Sequence, residues 1–210
     1  MLKFQLFNYS VIMFIWLLEF DQKAFLHLNG MHSPEWDEIM LWITGNMIWI
    51  PFYIFILFMV IYHERPYRFI FTILFLAIAV GLSDYISVII KNLVERPRPS
   101  HNPEITGLVH IVNNYRGGNY GFVSSHAANV FATVAFLSNQ FKNYKWSLVL
   151  LGWAALVSYS RIYLGVHYPL DIICGAVLGA LIGVQCYVFK VWTVVYFERR
   201  IEDRKAKKEN

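Results

Sequence analysis

Charge is scarce in this sequence. Only 15% of its 210 residues are Asp, Glu, Lys or Arg, against 57% hydrophobic and 18% aromatic, and mean hydropathy is +0.45. That deficit excludes an ordinary soluble domain and points to a polytopic membrane protein. Acidic residues are scarcer still, 14 against 18 Lys and Arg, which leaves a formal charge of +4. The surplus cations fall at the edges of apolar runs and in the tail, where they meet anionic head groups and phosphates; no nucleic-acid face is expected. Cysteine is nearly absent. Cys174 and Cys186 share one apolar run, where a helix holds them roughly 18 Å apart, too far to pair, and no Cys/His spacing suits a metal. Internal repeats and low-complexity segments are also missing. So is a small-residue cleavage site after the apolar start, because Glu19-Phe20-Asp21 stands there instead, and the segment is read as retained.

What is present is a series of apolar runs. Residues 4–18 form a short one that carries Asn8 and Ser10 and runs into Glu19, Asp21 and Lys23, the pattern of an interfacial helix within an N-terminal segment 1–38. Ala24 to Trp36 reads as a helix end and a turn at the bilayer surface. Five stronger runs follow, at 39–62, 69–90, 125–139, 146–160 and 170–197, each judged against roughly 20 apolar residues per span. The expected fold is all-α: one domain over 1–210, a membrane helical bundle of five or six transmembrane helices, with a basic tail at 198–210. Arg65 and Arg68, Lys142 and Lys145, and the tail cations Arg199, Arg200, Arg204, Lys205, Lys207 and Lys208 fall on one side, the cytoplasmic one by the positive-inside rule. The long loop 91–123 and the link 161–169 are then extracytoplasmic.

Chemistry concentrates in that link. Pro169 suits the first turn of a helix, which places Asp171 in the same turn with His167 just outside it. A carboxylate there can accept the Nδ1 proton of His167 and leave Nε2 free as a nucleophile or base. Arg161 offers a fork suited to phosphate oxygens, and Ser160 precedes it. Taken alone, the link also reads as a capped helix with a headgroup-anchoring Arg. Two other groups fall on the same predicted face. Lys91 ends the second strong run, and the prolines around Arg98 stiffen the chain that carries it. Ser124 stands at an N-cap position ahead of Ser125 and His126, and such a helix N-terminus attracts anions. Asp84 lies seven residues before Lys91 on nearly the same helical face and is expected to support the site, either from beneath Lys91 or Arg161 or by bonding across helices.

Together these residues resemble the type 2 phosphatidic acid phosphatase superfamily of lipid phosphatases, which also includes vanadium haloperoxidases. Lys91 with Arg98-Pro99 meets the first family motif, Val123-Ser124-Ser125-His126 meets Pro-Ser-Gly-His in part, and Ser160-Arg161 with His167 and Asp171 meets the third. The departures are Val123 for Pro and Ser125 for Gly. The resemblance implies a cofactor-free and metal-free hydrolase in which His167, oriented by Asp171, attacks phosphorus and His126 serves as acid and base. Lys91, Arg98, Ser124, Ser125 and Arg161 would hold the phosphate, with Asp84 and Ser160 supporting. The implied substrate is a membrane lipid phosphate, with undecaprenyl diphosphate ahead and lipid A phosphate next, dephosphorylated at the outer face of the inner membrane. A lipid phosphotransferase with the same site, or a transporter using Asp84, Arg161 and His167 as an ion relay, are the competing readings.

Overall fold

The computed structural model describes residues 2–45 and 47–209, and the side chains of 12–45 and 47–207. Among the described residues the long elements are helices: α1 (Leu2–Asn29), α2 (Pro34–Thr44), α3 (Ile50–His63), α4 (Pro66–Val94), α5 (Ser125–Phe141), α6 (Tyr144–Tyr163) and α7 (Pro169–Glu209). No strand accompanies them among the described residues, and an isolated bridge between Pro97 and Tyr120 lies in the loop between α4 and α5. The boundaries have local causes. Pro66 opens α4 at a position where a missing N–H costs nothing, and Glu95 closes it in the left-handed conformation (φ 51°) with its N–H on the Lys91 carbonyl at 2.9 Å. Ser124 caps α5 by accepting from Ala127 N at 3.3 Å, as its position predicts.

The bundle is organised on α5 and α7, which run parallel and touch along a stripe of small residues. Gly175, Gly179 and Gly183 of α7 lie against Ser124, Ala128 and Ala132 of α5, four residues apart on each helix. A Cβ on Gly179 or Gly183 would meet the facing backbone carbonyl well inside van der Waals contact. In lipid, where apolar side chains gain little by hiding from water, close backbone approach of this kind is a main source of helix association. The packed interior includes Val134, Phe136, Leu150, Trp153, Ala154 and Val157. Away from the predicted site a buried polar cluster closes the bundle: Lys190 Nζ lies 2.7 Å from Glu64 Oε1, Lys190 also donates to the Gln140 carbonyl oxygen, and Glu64 accepts from the Gln140 amide.

By length and composition α4 and residues Pro169–Lys207 of α7 are each sufficient to cross a membrane. The run 39–62, expected as one span, is instead broken into α2 and α3, which meet at 72°. Gly45 ends α2, the indole Nε1 of Trp49 folds back on the Ile43 carbonyl at 2.8 Å, and Pro51 starts α3 anew. The charges at 19–23 do not end α1, because Asp21 is folded inward; the side chains of 4–11 lie outside the described residues. The expected turn after Asn29 is present. The basic tail continues α7 as helix instead of separating from it at Phe197.

The stripe makes a direct prediction. Gly179→Val forces α5 and α7 apart and should destabilise the protein by at least the ~1–3 kcal/mol typical of overpacking, seen as a lowered unfolding temperature in detergent. Gly152→Val, at a position where a Cβ meets nothing within 4 Å, is the matched control.

Candidate active site

Four helix ends and one loop meet at His167. α4 brings Lys91 at its C-terminal end, α5 brings His126 at its start, α6 brings Arg161 in its last turn, and α7 brings Asp171 in its first. His167 is 1% exposed, and Arg98 Nη1 stands 3.2 Å from its Nε2. A guanidinium only donates, so Nε2 is the acceptor and the proton of the neutral ring lies on Nδ1. Arg98 is itself fixed by Tyr120 O at 3.1 Å and Val166 O at 3.2 Å. Burial, reinforced by the charges of Arg98, Arg161 and Lys91, holds the His167 pKa well below the usual imidazole value. The ring is therefore neutral, with an unprotonated nitrogen facing a cation.

Behind the ring, Asp171 Oδ2 is 3.4 Å from Nδ1, longer than a well-formed hydrogen bond. The two groups lie within ion-pair range, but the expected hydrogen bond from Nδ1 is not formed. The reason is that the carboxylate has stronger partners: Oδ2 accepts from Tyr168 N at 3.0 Å and Oδ1 from Arg96 Nη1 at 2.8 Å. Arg96 reaches on to Asp21 Oδ2 at 2.7 Å, and its guanidinium lies 4.0 Å from the Tyr168 ring centroid. Asp21 also accepts from Leu170 N at 2.8 Å, which ties α1 to the start of α7. Gly121 passes so close that a Cβ there would lie 2.9 Å from Asp171 Oδ2.

The remaining predicted residues divide. Lys91 Nζ bonds Ser125 Oγ, which also bonds Ser87 Oγ at 2.6 Å, so the residue at the family's glycine position tethers the lysine. Arg161 is 2% exposed and donates to Thr44 Oγ1 and, at 3.1 Å, to the Tyr115 hydroxyl. Ser124 is committed to capping α5, and its N–H bonds the Asp171 carbonyl at 2.9 Å. Ser160 is not brought to the site: its hydroxyl turns back to the Val157 carbonyl at 2.7 Å. Asp84 bonds neither Lys91 nor Arg161; its Oδ1 accepts from Asn129 Nδ2 at 3.3 Å, across helices. His110, to which the sequence assigns no role, pairs with Asp37 at 2.8 Å and stacks on His32 at 3.6 Å.

Sequence reasoning missed Arg96, Asp21, Thr44 and Tyr115. A signal existed for Arg96, because Arg96-Pro97 repeats the pattern of Arg98-Pro99, whereas Asp21 sits in a charged cluster that does not single it out. Thr44 and Tyr115 carry no such mark. A cavity of about 770 Å³ leads from Ser125 and His126 between α3, α4, α5 and α6, walled largely by residues such as Tyr53, Leu57, Ile73, Leu76, Val80 and Trp153. An anion at His167 can therefore be continuous with an apolar chain in that cavity.

Residues 72–194 match the PAP2 superfamily. The chain is 39% identical over 170 residues to a lipid A 4′-phosphatase of Bacteroides thetaiotaomicron, covering 80% of this chain and 75% of that protein. It is 35% identical over 178 residues to a lipid A 4′-phosphatase of Porphyromonas gingivalis, covering 84% and 75%. Among solved structures it resembles LpxE of Aquifex aeolicus, with TM-score 0.55 and 25% identity over 81% of this chain and 93% of that one. The fold is also that of a PAP2-type phosphatidylglycerolphosphate phosphatase from Bacillus subtilis, with TM-score 0.58 and 22% identity over 85% and 94%.

Two outcomes follow from the electrostatics. In protein labelled at histidine nitrogen, the His167 resonance should keep its neutral, Nδ1-protonated form at pH 6.5, the usual imidazole midpoint; half-protonation there would contradict the assignment. Arg96→Met leaves Asp21 and Asp171, whose side chains are 0% exposed, without their cation, and should cost about 3–5 kcal/mol of stability. Arg68→Met, breaking a pair with Glu198 whose side chains are 42% and 26% exposed, should cost under ~1 kcal/mol in the same thermal measurement.

Proposed function

Because the chain belongs to the PAP2 superfamily, we propose that it is a membrane lipid phosphatase whose substrate is a lipid A-type phosphate, with His167 as nucleophile. The observation that carries this is the contact of Arg98 with His167 Nε2, in a cluster of cations next to an apolar cavity. A phosphate placed there displaces the guanidinium from the ring and takes its charge in exchange. The relatives move lipid A phosphate ahead of the isoprenyl diphosphate that the sequence alone favours.

In the first step the Nε2 lone pair of His167 forms a bond to phosphorus as the phosphorus–oxygen bond to the lipid breaks. The leaving oxygen takes a proton from His126. Lys91, Arg98, Arg161 and the free N–H groups at the start of α5 stabilise the charge spread over the equatorial oxygens. In the second step water attacks the phosphohistidine and gives its proton to His126, the nitrogen–phosphorus bond breaks, and inorganic phosphate leaves. Asp171 supports the ring as positive charge builds on it. Ser125 acts through Lys91, which makes it a positioning residue.

The same reading extends to placement. Lys91, His126, Arg161 and Asp171 all stand at one end of their helices, whereas Arg68, Lys142, Lys145 and Arg199 lie at the other. We assign the first end to the extracytoplasmic face of the inner membrane and the second, with the α7 tail, to the cytoplasm, in a bundle of five or six crossings with the start of α1 in the interface.

Phosphate release from detergent-solubilised protein and lipid A tests the proposal. Wild type should turn over equally with and without EDTA, since three cations supply the electrostatic role that a metal plays elsewhere. His167→Ala should abolish release, and Asp171→Asn should lower it by ~10²–10⁴-fold. Activity that vanishes in EDTA and returns with magnesium, or that survives His167→Ala, would refute it.

A further inference from the structure

Asp84 is the residue that the phosphate chemistry leaves unused. It lies inside α4, a helix apolar enough to cross a membrane, and lines the large cavity together with Asn129 and Thr133 of α5. Its Oδ1 accepts a hydrogen bond from Asn129 Nδ2 at 3.3 Å. Asn129 is in turn held from behind, because Ser83, itself fully buried, donates to Asn129 Oδ1 at 2.9 Å. The carboxylate of Asp84 can only accept, which fixes the amide flip, so the NH₂ side faces Asp84 and the cavity. A carboxylate has about four acceptor positions, and an amide nitrogen two protons, so the pair retains both acceptor and donor capacity toward the cavity. The apolar part of the surrounding wall, Ile73, Leu76 and Val80 among others, can satisfy neither. A carboxylate at such a depth is expensive unless something donates to it.

We infer that Asp84 and Asn129 form a specificity subsite that binds hydroxyl or amide N–H groups on the substrate, below its phosphate. This rests on the lipid phosphatase reading above. The depth follows from helix rise: Asn129 is four residues from Ser125 and Asp84 seven from Lys91, so the subsite lies roughly 6–10 Å along the helices from the phosphate-holding groups. That interval discriminates between lipid classes. An isoprenyl phosphate has only hydrocarbon at this depth. A phosphorylated diacylglycerol presents ester carbonyls, which are acceptors and face a carboxylate unfavourably. An acylated amino-sugar phosphate carries donors there, namely the amide N–H and the hydroxyls of hydroxyacyl chains, with the chains themselves continuing into the apolar cavity. A site built to pair polar groups rejects ligands that lack them, because polar groups facing an apolar cavity are then left unsatisfied.

The test compares kcat/KM for phosphate release from three probes in the same detergent: hexa-acyl lipid A bearing 3-hydroxyacyl chains, undecaprenyl diphosphate and dioleoyl phosphatidic acid. Asp84→Leu should lower the ratio of lipid A to undecaprenyl diphosphate turnover by ~10-fold or more, chiefly through KM for lipid A. Asp84→Asn, which keeps the shape but removes the charge, should lower the same ratio and guards against a folding defect in the leucine variant. Parallel losses on all three probes, or an unchanged ratio in both variants, would overturn the subsite. Wild type that hydrolyses phosphatidic acid but not lipid A would overturn it together with the lipid A assignment, while leaving the lipid phosphatase class intact. Wild type inactive on every probe would sink both.

Discussion

Three cations converge on one neutral imidazole, and none of them makes an ion pair among the described residues. Lys91 is held by a serine, Arg161 by a threonine and a tyrosine, and Arg98 by two carbonyls and His167 itself. Desolvated cations that repel one another are costly, and bringing a dianion among them relieves that cost. The nearest carboxylate does not supply the missing charge, because Asp171 is bound to Arg96, which Asp21 shares. The two carboxylates and one guanidinium behind the ring are therefore kept apart from the cations in front of it. This separation leaves His167 with an unprotonated nitrogen facing a cluster of cations, which is what the proposed nucleophile needs.

Such an arrangement needs a rigid frame, and the packing supplies it at the level of the backbone. The glycine stripe lets α7 approach α5 closely enough for Ser124 N to reach the Asp171 carbonyl, so the helix that carries His126 and the helix that carries Asp171 are joined at their first turns. From the other side α1 contributes two buried polar residues. Asp21 fixes Arg96 and the Leu170 N–H, and Asn29 donates to the Ile162 and Tyr163 carbonyls at the end of α6, at 3.1 and 2.8 Å. The N-terminal helix is thus part of the site's support. At the far end Glu64, Gln140 and Lys190 join α3, α5 and α7, so the bundle is clamped at both ends with the apolar cavity between.

Much of this is legible in the sequence because lipid leaves few options. Polar residues inside apolar runs have to converge, and Lys91, Arg98, His126, Arg161, His167 and Asp171 do so as their spacing requires. Helix starts marked by Ser124 and Pro169 are equally plain. What is not legible depends on pairing between distant segments. Nothing local distinguishes Asp21, which is buried against Arg96, from Glu19, which is only two residues away and belongs to the same charged cluster. The bend between α2 and α3 is hidden because residues 39–62 are hydrophobic on both sides of the short break Thr44-Gly45-Asn46, so mean hydropathy reads straight across it and Pro51. Ser160 shows the opposite error: a serine beside a functional arginine looks useful, yet helix geometry turns its hydroxyl back to Val157. Asp84 stands out in the sequence as an intramembrane acid, but its partner, Asn129, comes from another helix and becomes visible only with the cavity that both line.

Orthovanadate resembles the pentacoordinate phosphoryl group, and a structure of the protein bound to it would locate the reacting centre atom by atom. The phosphohistidine mechanism predicts vanadium bonded to Nε2 of His167, with its equatorial oxygens held by Lys91, Arg98 and Arg161 and its open apical side toward His126. Vanadium bonded to His126, or an anion that leaves Arg98 on the His167 ring and contacts neither Lys91 nor Arg161, would contradict it.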